Sequence, residues 1–168
     1  MRRLVSGLAA MAAALCLAGS ALAADVKITG LHNCCPGCNN ALTKVLNDAG
    51  IANPTINKGE VSFSAEDPNP ALTALANAGF GGTVTGGRYP RQQGLGDLKG
   101  TKFKVEGIHN CCGACAKNIS EILKPLGTVE LKARETSFTI TTQNEIPGRM
   151  LLMTLRQAGY NGKISAAQ

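Results

Sequence analysis

Apolar residues recur along the chain in two patterns, and each pattern occurs twice. After Cys38 and again after Cys115, apolar residues follow at steps of 4, 7, 8 and 11 residues, which is typical of one face of an α-helix. Before each helix, apolar and polar residues alternate around residues 25–30 and 101–107, as in a half-buried strand. The patterns therefore predict a duplicated α+β unit.

The duplication is clearest around one motif. Residues 30–38 and 107–115 are identical at six of nine positions, at an offset of 77 residues, and both contain His-Asn-Cys-Cys-x-x-Cys. Further along, Leu72 corresponds to Leu152 at an offset of 80, so the second copy holds three additional residues. The repeat indicates that both copies have the same fold.

Each copy is predicted to contain the elements β-α-β-β-α-β. They are predicted at residues 25–30, 36–49, 52–57, 60–65, 69–79 and 82–86 in the first copy, and at 101–107, 113–126, 128–133, 136–142, 147–158 and 162–166 in the second. Lys58-Gly59 is typical of a hairpin turn. Gly79 and Gly159 are predicted to end helices, and Pro125 to shorten the helix before it.

The chain divides into four segments. Residues 1–23 have two arginines, an apolar run and the small-residue sequence Ala21-Leu22-Ala23, which predicts a secretory signal peptide. Residues 24–86 and 100–168 hold the two copies, and the polar, Gly-rich residues 87–99 are predicted to link them. A signal peptide predicts a periplasmic or secreted protein.

Composition excludes several functions. Removing Arg2 and Arg3 lowers the formal net charge from +6 to +4, and the chain has four Phe, two Tyr and no Trp, so nucleic-acid binding is not expected. The apolar run before residue 21 is too short and too Ala-rich for stable membrane insertion. Because no catalytic triad, phosphate loop or paired-carboxylate pattern occurs, the protein is not expected to be an enzyme.

The cysteines carry the candidate chemistry. Six of the seven lie beyond the predicted signal peptide, in two triplets of identical spacing, which indicates local chemistry rather than a disulfide framework. Cys35 and Cys38, like Cys112 and Cys115, form C-x-x-C across a loop-to-helix junction. The second cysteine of each pair falls in the first helical turn, where the helix dipole is expected to lower the thiol pKa. Thiolates are soft ligands suited to Cu(I), Zn(II) or Hg(II).

These features resemble the heavy-metal-associated domain family, which includes copper chaperones, domains of metal-transporting P-type ATPases and the periplasmic mercury-binding protein of mercury-resistance systems. The resemblance rests on residues 105–108, the C-x-x-C helix start and residues 158–160, and covers nearly all of 25–86 and 100–166. It implies two tandem ferredoxin-like βαββαβ sandwich domains. It also implies that the four C-x-x-C cysteines bind the metal and that Phe80 and Tyr160 shield the site.

The motif loop departs from the family pattern, because it is two residues longer and carries an additional His and Cys. Cys34 and Cys111 are candidate third ligands, with a strained adjacent disulfide or a loop thiol as alternatives. For His32 and His109, a role in loop packing is favoured over ligation. Three sulfurs with one nitrogen would suit Zn(II), and two or three sulfurs alone would suit Cu(I), which is favoured.

The sequence predicts an exported metal carrier, chaperone or buffer, whose partners are the metal ion and a metal transporter or another metal-binding protein. The alternative is a thiol-disulfide redox protein that uses the same C-x-x-C pairs. Phe80 and Tyr160 could instead cap the last strand of each core. The two copies could bind separately, or face each other and share an ion; the sequence leaves both arrangements open.

Overall fold

The computed structural model describes residues 23–167, and the predicted signal peptide, apart from Ala23, lies outside them together with Cys16. The first unit consists of β1 (Ala24–Thr29), α1 (Pro36–Asp48), β2 (Thr55–Asn57), β3 (Glu60–Ala65), α2 (Asn69–Asn77) and β4 (Thr83–Thr85). The second consists of β5 (Lys99–Glu106), α3 (Gly113–Leu123), β6 (Gly127–Val129), β7 (Ser137–Pro147), α4 (Gly148–Gln157) and β8 (Lys163–Ala166). The predicted order of elements is confirmed in both units.

Residues 23–167 form an α+β structure with two four-stranded antiparallel sheets and four helices. The strand orders are β2-β3-β1-β4 and β6-β7-β5-β8, so the first strand of each unit lies in the interior of its sheet. The predicted alternation is confirmed, since Val26 and Ile28 of β1 are buried between exposed neighbours. The buried strand residues join those of the two helices in one hydrophobic core per unit.

Two predicted strands of the second unit have the wrong bounds. β6, predicted at 128–133, is only Gly127–Val129, and an irregular segment with Arg134 at φ +69° follows it. β7, predicted at 136–142, continues to Pro147 because its end pairs with Lys99 and Gly100 after a register shift. The three additional residues of the second copy lie in this extension, where they lengthen a strand rather than a loop.

The predicted helix-ending residues are confirmed, although α3 ends three residues before its predicted end at 126. α3 stops at Leu123, two residues before Pro125, as expected for a residue that cannot continue the helical hydrogen bonds. Gly79 and Gly159 have φ values of +82° and +86°. The N–H of the residue after each glycine donates to the carbonyl five residues earlier, at 3.0 and 2.9 Å, which completes a Schellman cap.

The connecting segment, residues 87–98, packs closely despite its polar sequence. Its Tyr89 belongs to the first core and its Leu95 to the second. The Gln92 amide donates to the Gly162 carbonyl at 2.6 Å and accepts from the Ile164 N–H at 3.0 Å, beside the edge strand β8. The linker therefore packs against both units and hydrogen-bonds to the second.

The units also contact each other directly, through the segments that follow α2 and α4. Phe80 and Tyr160 form an antiparallel β-bridge. The Gly81 N–H donates to the Gly159 carbonyl at 3.0 Å, and the Asn161 N–H donates to the Gly79 carbonyl at 2.8 Å. These reciprocal bonds relate the two units by an approximate two-fold axis. None of the helices in the described part of the chain is long and apolar enough to span a membrane.

Candidate metal centre

A buried asparagine holds each cysteine loop (residues 30–38 and 107–115). Asn33 donates to the Asn57 carbonyl at 2.8 Å and accepts from the Gly59 N–H at 2.6 Å, which fixes the first loop against the β2–β3 hairpin. Asn110 donates to the carbonyls of Lys132 and Glu135 at 2.7 and 2.9 Å. Each asparagine therefore ties its cysteine loop to a neighbouring segment of the same unit.

The loops place the thiols at the N-termini of α1 and α3. Cys35 and Cys112 are the N-cap residues, with extended backbones, and Cys38 and Cys115 lie in the first turns, fully buried. Of the remaining two, Cys34 is exposed and Cys111 is half-buried. All six are free thiols, and they extend from the buried helical turns to the surface.

The six sulfurs come together in one group, which we call the sulfur cluster. Within the first unit, the Cys35 and Cys38 sulfurs are 3.5 Å apart, and within the second unit those of Cys112 and Cys115 are 3.7 Å apart. Distances between the units are as short: Cys38 to Cys111 is 3.4 Å, and Cys34 to Cys115 is 3.7 Å. The two triplets therefore face each other, which is one of the two arrangements that the sequence left open.

Hydrogen bonds from the helix N-termini lower the pKa of the two N-cap thiols. The backbone N–H of Cys115 at the helix N-terminus lowers the pKa of Cys112 to about 7. The Cys38 N–H lowers the pKa of Cys35 in the same way. The unpaired N–H groups at a helix N-terminus stabilise a thiolate there.

The predicted position of the lowered pKa was wrong for the second unit. The sequence assigned it to the second cysteine of each C-x-x-C pair, but burial raises the pKa of Cys115. Burial also raises the pKa of Cys111. The first-turn cysteine points into the protein, where a charged thiolate loses its hydration, whereas the N-cap sulfur receives the N–H bonds.

Each histidine stacks on the aromatic ring of the other unit. The His32 ring lies 4.5 Å from the Tyr160 ring, and the His109 ring lies 4.2 Å from the Phe80 ring, both at an interplanar angle of 27°. Phe80 and Tyr160 are fully buried in the two cores. The two rings, predicted to shield the site, thus lie between the units, directly behind the cysteine loops.

The histidines and Tyr160 also present polar atoms towards this region. The Nε2 atoms of His32 and His109 and the Tyr160 hydroxyl are buried and have no hydrogen-bond partner among the described residues. A ring nitrogen of His32 lies within 4.8 Å of the sulfurs of Cys34 and Cys115. Burial lowers the pKa of both histidines, which favours the neutral ring, the form that can donate a lone pair to a metal.

The donor set fits a soft metal ion. Four groups of three donors have all their ligand atoms within 4.8 Å of one another, and every group contains at least two cysteines. Three sulfurs around an ion at a bond length of about 2.3 Å would be about 4 Å apart, as found here. Close cysteine and histidine groups could therefore hold a metal ion, and their softness favours metals that prefer sulfur.

Sequence reasoning missed the second role of Gly79 and Gly159. A Cβ atom at Gly79 would lie 2.0 Å from the backbone nitrogen of His109, and one at Gly159 would lie 2.2 Å from the backbone nitrogen of His32. Only glycine lets each helix end approach the opposite cysteine loop this closely. The repetition of glycine at both positions was visible in the sequence, but a helix cap alone accounts for it.

Comparison with known proteins identifies no relative: no protein-family model, curated protein or solved structure matches the chain.

Proposed function

We propose that this protein is an exported carrier, chaperone or buffer for a soft metal ion, with Cu(I) favoured over Zn(II) and Hg(II). The observation that carries the proposal is the sulfur cluster, in which six thiols from two distant segments lie 3.4 to 4.0 Å from their nearest neighbours. A purely structural core does not require six converging thiols, and Cys34 of this group is exposed rather than packed in a core.

The order of elements and the strand order support membership of the heavy-metal-associated domain family, with two ferredoxin-like domains. In this proposal the four C-x-x-C cysteines are the main ligands, Cys34 and Cys111 complete the thiolate set, and the histidines are additional neutral donors. The rings of Phe80 and Tyr160 exclude water from the inner side of the cluster. Binding and release need no chemical turnover.

Graded exposure provides a route for transfer. Cys38 and Cys115 are fully buried, whereas Cys34 is exposed. A metal ion on the exposed side can be reached by the cysteines of a transporter or of another metal-binding protein. Transfer would proceed by ligand exchange, in which each incoming thiolate replaces one of the bound sulfurs.

A thiol-disulfide redox protein is the second candidate, favoured by the lowered pKa values of Cys35 and Cys112. The cluster geometry argues against it. The Cys35 sulfur is 3.5 Å from that of Cys38 and also 3.5 Å from that of Cys111, so the C-x-x-C pair is not a distinct redox couple. Disulfide exchange by an oxidoreductase uses one defined pair.

Competition with a chromogenic chelator under anaerobic conditions tests the function. The reduced chain should retain Cu(I) more strongly than Zn(II). The double variant Cys35→Ser with Cys112→Ser should lose more than about 100-fold in Cu(I) affinity, since even outer-shell partners of metal ligands contribute about 10- to 100-fold. Asn40→Ser with Lys117→Ser, at equivalent exposed positions two residues after the second cysteines, is the matched control.

The opposite result would be equally informative. If none of the three ions is retained, and if the C-x-x-C pairs form disulfides with potentials between about −270 and −120 mV, the redox candidate replaces the metal carrier. If the double serine variant binds as tightly as the control variant, the ligand assignment is wrong.

A further inference from the structure

The six sulfurs lie at the corners of an octahedron. Eight pairs are 3.4 to 4.0 Å apart, and four more pairs lie within 4.8 Å: Cys34–Cys35, Cys35–Cys112, Cys111–Cys112 and Cys38–Cys115. These twelve pairs give every sulfur at least four neighbours within 4.8 Å. Six points joined in this way can only have octahedral connectivity, with Cys34 opposite Cys111, Cys35 opposite Cys115, and Cys38 opposite Cys112.

An octahedron offers four alternate triangular faces that share corners but no edges. Here they are Cys34–Cys35–Cys38, Cys34–Cys112–Cys115, Cys35–Cys111–Cys112 and Cys38–Cys111–Cys115. Each cysteine belongs to two of the four faces. One ion in each face would therefore be bound by three sulfurs, and each sulfur would bridge two ions. Three of these faces take sulfurs from both units.

We propose that the sulfur cluster binds four Cu(I) ions as a single thiolate-bridged cluster, an inference that rests on the proposed soft-metal function. Cu(I) readily accepts three thiolates in a plane, and twelve metal–sulfur bonds use all six sulfurs twice. Six thiols and four Cu⁺ give a cluster of charge −2 and release six protons, so charge balances. One chain would then store twice as many ions as two separate C-x-x-C sites.

The geometry fits this cluster better than a zinc cluster. Zn(II) prefers four ligands, and two Zn(II) ions could share six thiolates only as two tetrahedra with a common edge. In that arrangement the two bridging sulfurs would each have five close neighbours, and the four terminal sulfurs would each have three. Here every sulfur has at least four neighbours within 4.8 Å, so none has the three expected of a terminal sulfur in the zinc arrangement.

The surroundings suit a compact anionic cluster. The N-termini of α1, with 13 residues, and α3, with 11, both lie at the cluster, with Cys35 and Cys112 as their N-cap residues. The fully buried sulfurs of Cys38 and Cys115, with the stacked rings behind the loops, limit contact with water. Two helix dipoles, each equivalent to about +0.5 charge at the N-terminus, thus offset about half of the charge of −2.

Anaerobic titration of the reduced chain from Ala24 to Gln168 with Cu(I), followed by native mass spectrometry, tests the proposal. The four-ion species should dominate, with the one-, two- and three-ion species scarce at partial loading. X-ray absorption should show three sulfurs per copper and a metal–metal scattering shell. An end point of two ions without that shell overturns the cluster but leaves the metal function intact. No bound copper overturns both.

Two variants separate a shared cluster from independent sites. Cys34→Ser with Cys111→Ser removes opposite corners and keeps both C-x-x-C pairs. The end point should fall from four ions to two or fewer, whereas independent pairs would bind two ions with or without this change.

Gly159→Ala keeps all six thiols but obstructs the approach of the units, and it should also lose the four-ion species. Gly50→Ala should retain it, because a Cβ at Gly50 meets no atom within 4 Å.

Discussion

The two units are copies in sequence, but they hold their cysteine loops differently. In the first unit Asn33 binds a tight hairpin whose turn residue, Gly59, has φ +74°. In the second unit Asn110 binds an irregular segment that contains Arg134 at φ +69°. The asparagine is thus the part of the anchor that duplication retained, and the segment it binds was free to change.

The units also differ in access to the cluster. Cys34 is exposed, whereas its counterpart Cys111 is half-buried. The ring behind the first loop belongs to Tyr160, which has a hydroxyl, and the ring behind the second belongs to Phe80, which has none. The backbone interface is nearly symmetric and the side-chain environment is not, so a metal ion would be more accessible on the side of Cys34.

The largest expected effect concerns the nearly symmetric interface between the units, where Gly79 and Gly159 occupy equivalent positions. Gly79→Ala and Gly159→Ala should each lower the free energy of unfolding by about 3 kcal/mol, because a positive φ costs about 1–2 kcal/mol and overpacking costs a further 1–3 kcal/mol. Urea denaturation measures the loss, and small-angle X-ray scattering should show a more extended particle. Gly50→Ala, with φ +86° but no neighbour for its Cβ, should lose about 1 kcal/mol and stay compact. Equal losses in all three variants would exclude a specific interface.

The next effect compares the two loop anchors. Asn33→Ala and Asn110→Ala should each lower the free energy of unfolding by about 2 kcal/mol, since buried backbone groups lose their partners. The loss should be greater for Asn33, whose amide also donates to the Asn39 side chain at 2.9 Å. Chemical denaturation of the metal-free protein checks the order. A larger loss for Asn110 would mean that the irregular segment depends on its anchor more than the hairpin does.

A smaller effect concerns the difference between the rings. Tyr160→Phe makes the two units alike and should raise the free energy of unfolding of the metal-free protein by about 1 kcal/mol, because the hydroxyl is buried without a partner. Phe80→Tyr, the reciprocal change, should destabilise the protein by a similar amount. Thermal and urea denaturation of both variants tests the pair. A destabilised Tyr160→Phe variant would show that the hydroxyl has a partner, for which the nearby thiolates are the candidates.

The smallest effect is a change of reactivity with pH. In the reduced, metal-free protein, alkylation of Cys112 should reach half its maximal rate near pH 7, whereas Cys115 should react only above its ordinary pKa of 9.0. The pKa of Cys112 is depressed on folding, so its contribution to stability is complete above pH 9 and is lost as the pH falls through 7. Peptide mass spectrometry after pulsed alkylation follows each thiol. A half-maximal rate near pH 9 at Cys112 would mean that the helix N-terminus does not stabilise its thiolate.

Much of the fold followed from the sequence, because local patterns decide it. The helical spacing after Cys38 and Cys115, the strand alternation, the stop before Pro125 and the caps at Gly79 and Gly159 are all found in the structure. The bounds of β6 and β7 were missed. β7 is extended by its pairing with β5, and β6 is limited to the three residues that pair with β7. Such pairing is not encoded in the residues of one segment alone.

Part of the site also followed from the sequence. The duplicated His-Asn-Cys-Cys-x-x-Cys identified the six thiols and both histidines. The lowered pKa was placed on the wrong cysteine of the second unit, because spacing cannot show which sulfur faces the N–H groups and which is buried. The packing of Tyr89 and Leu95 was not expected either, since isolated apolar residues in a Gly-rich segment have no periodicity.

The sequence alone determined that there are two α+β units, each with three thiols at the start of its first helix. Only the tertiary structure decided that the two triplets share one space. The reason is physical: the units meet through backbone hydrogen bonds of Gly79 and Gly159 and through crossed ring stacks, and such contacts leave no hydrophobic period in the sequence. The octahedron of sulfurs is a property of that interface, whereas each motif taken by itself supplies only three of its corners.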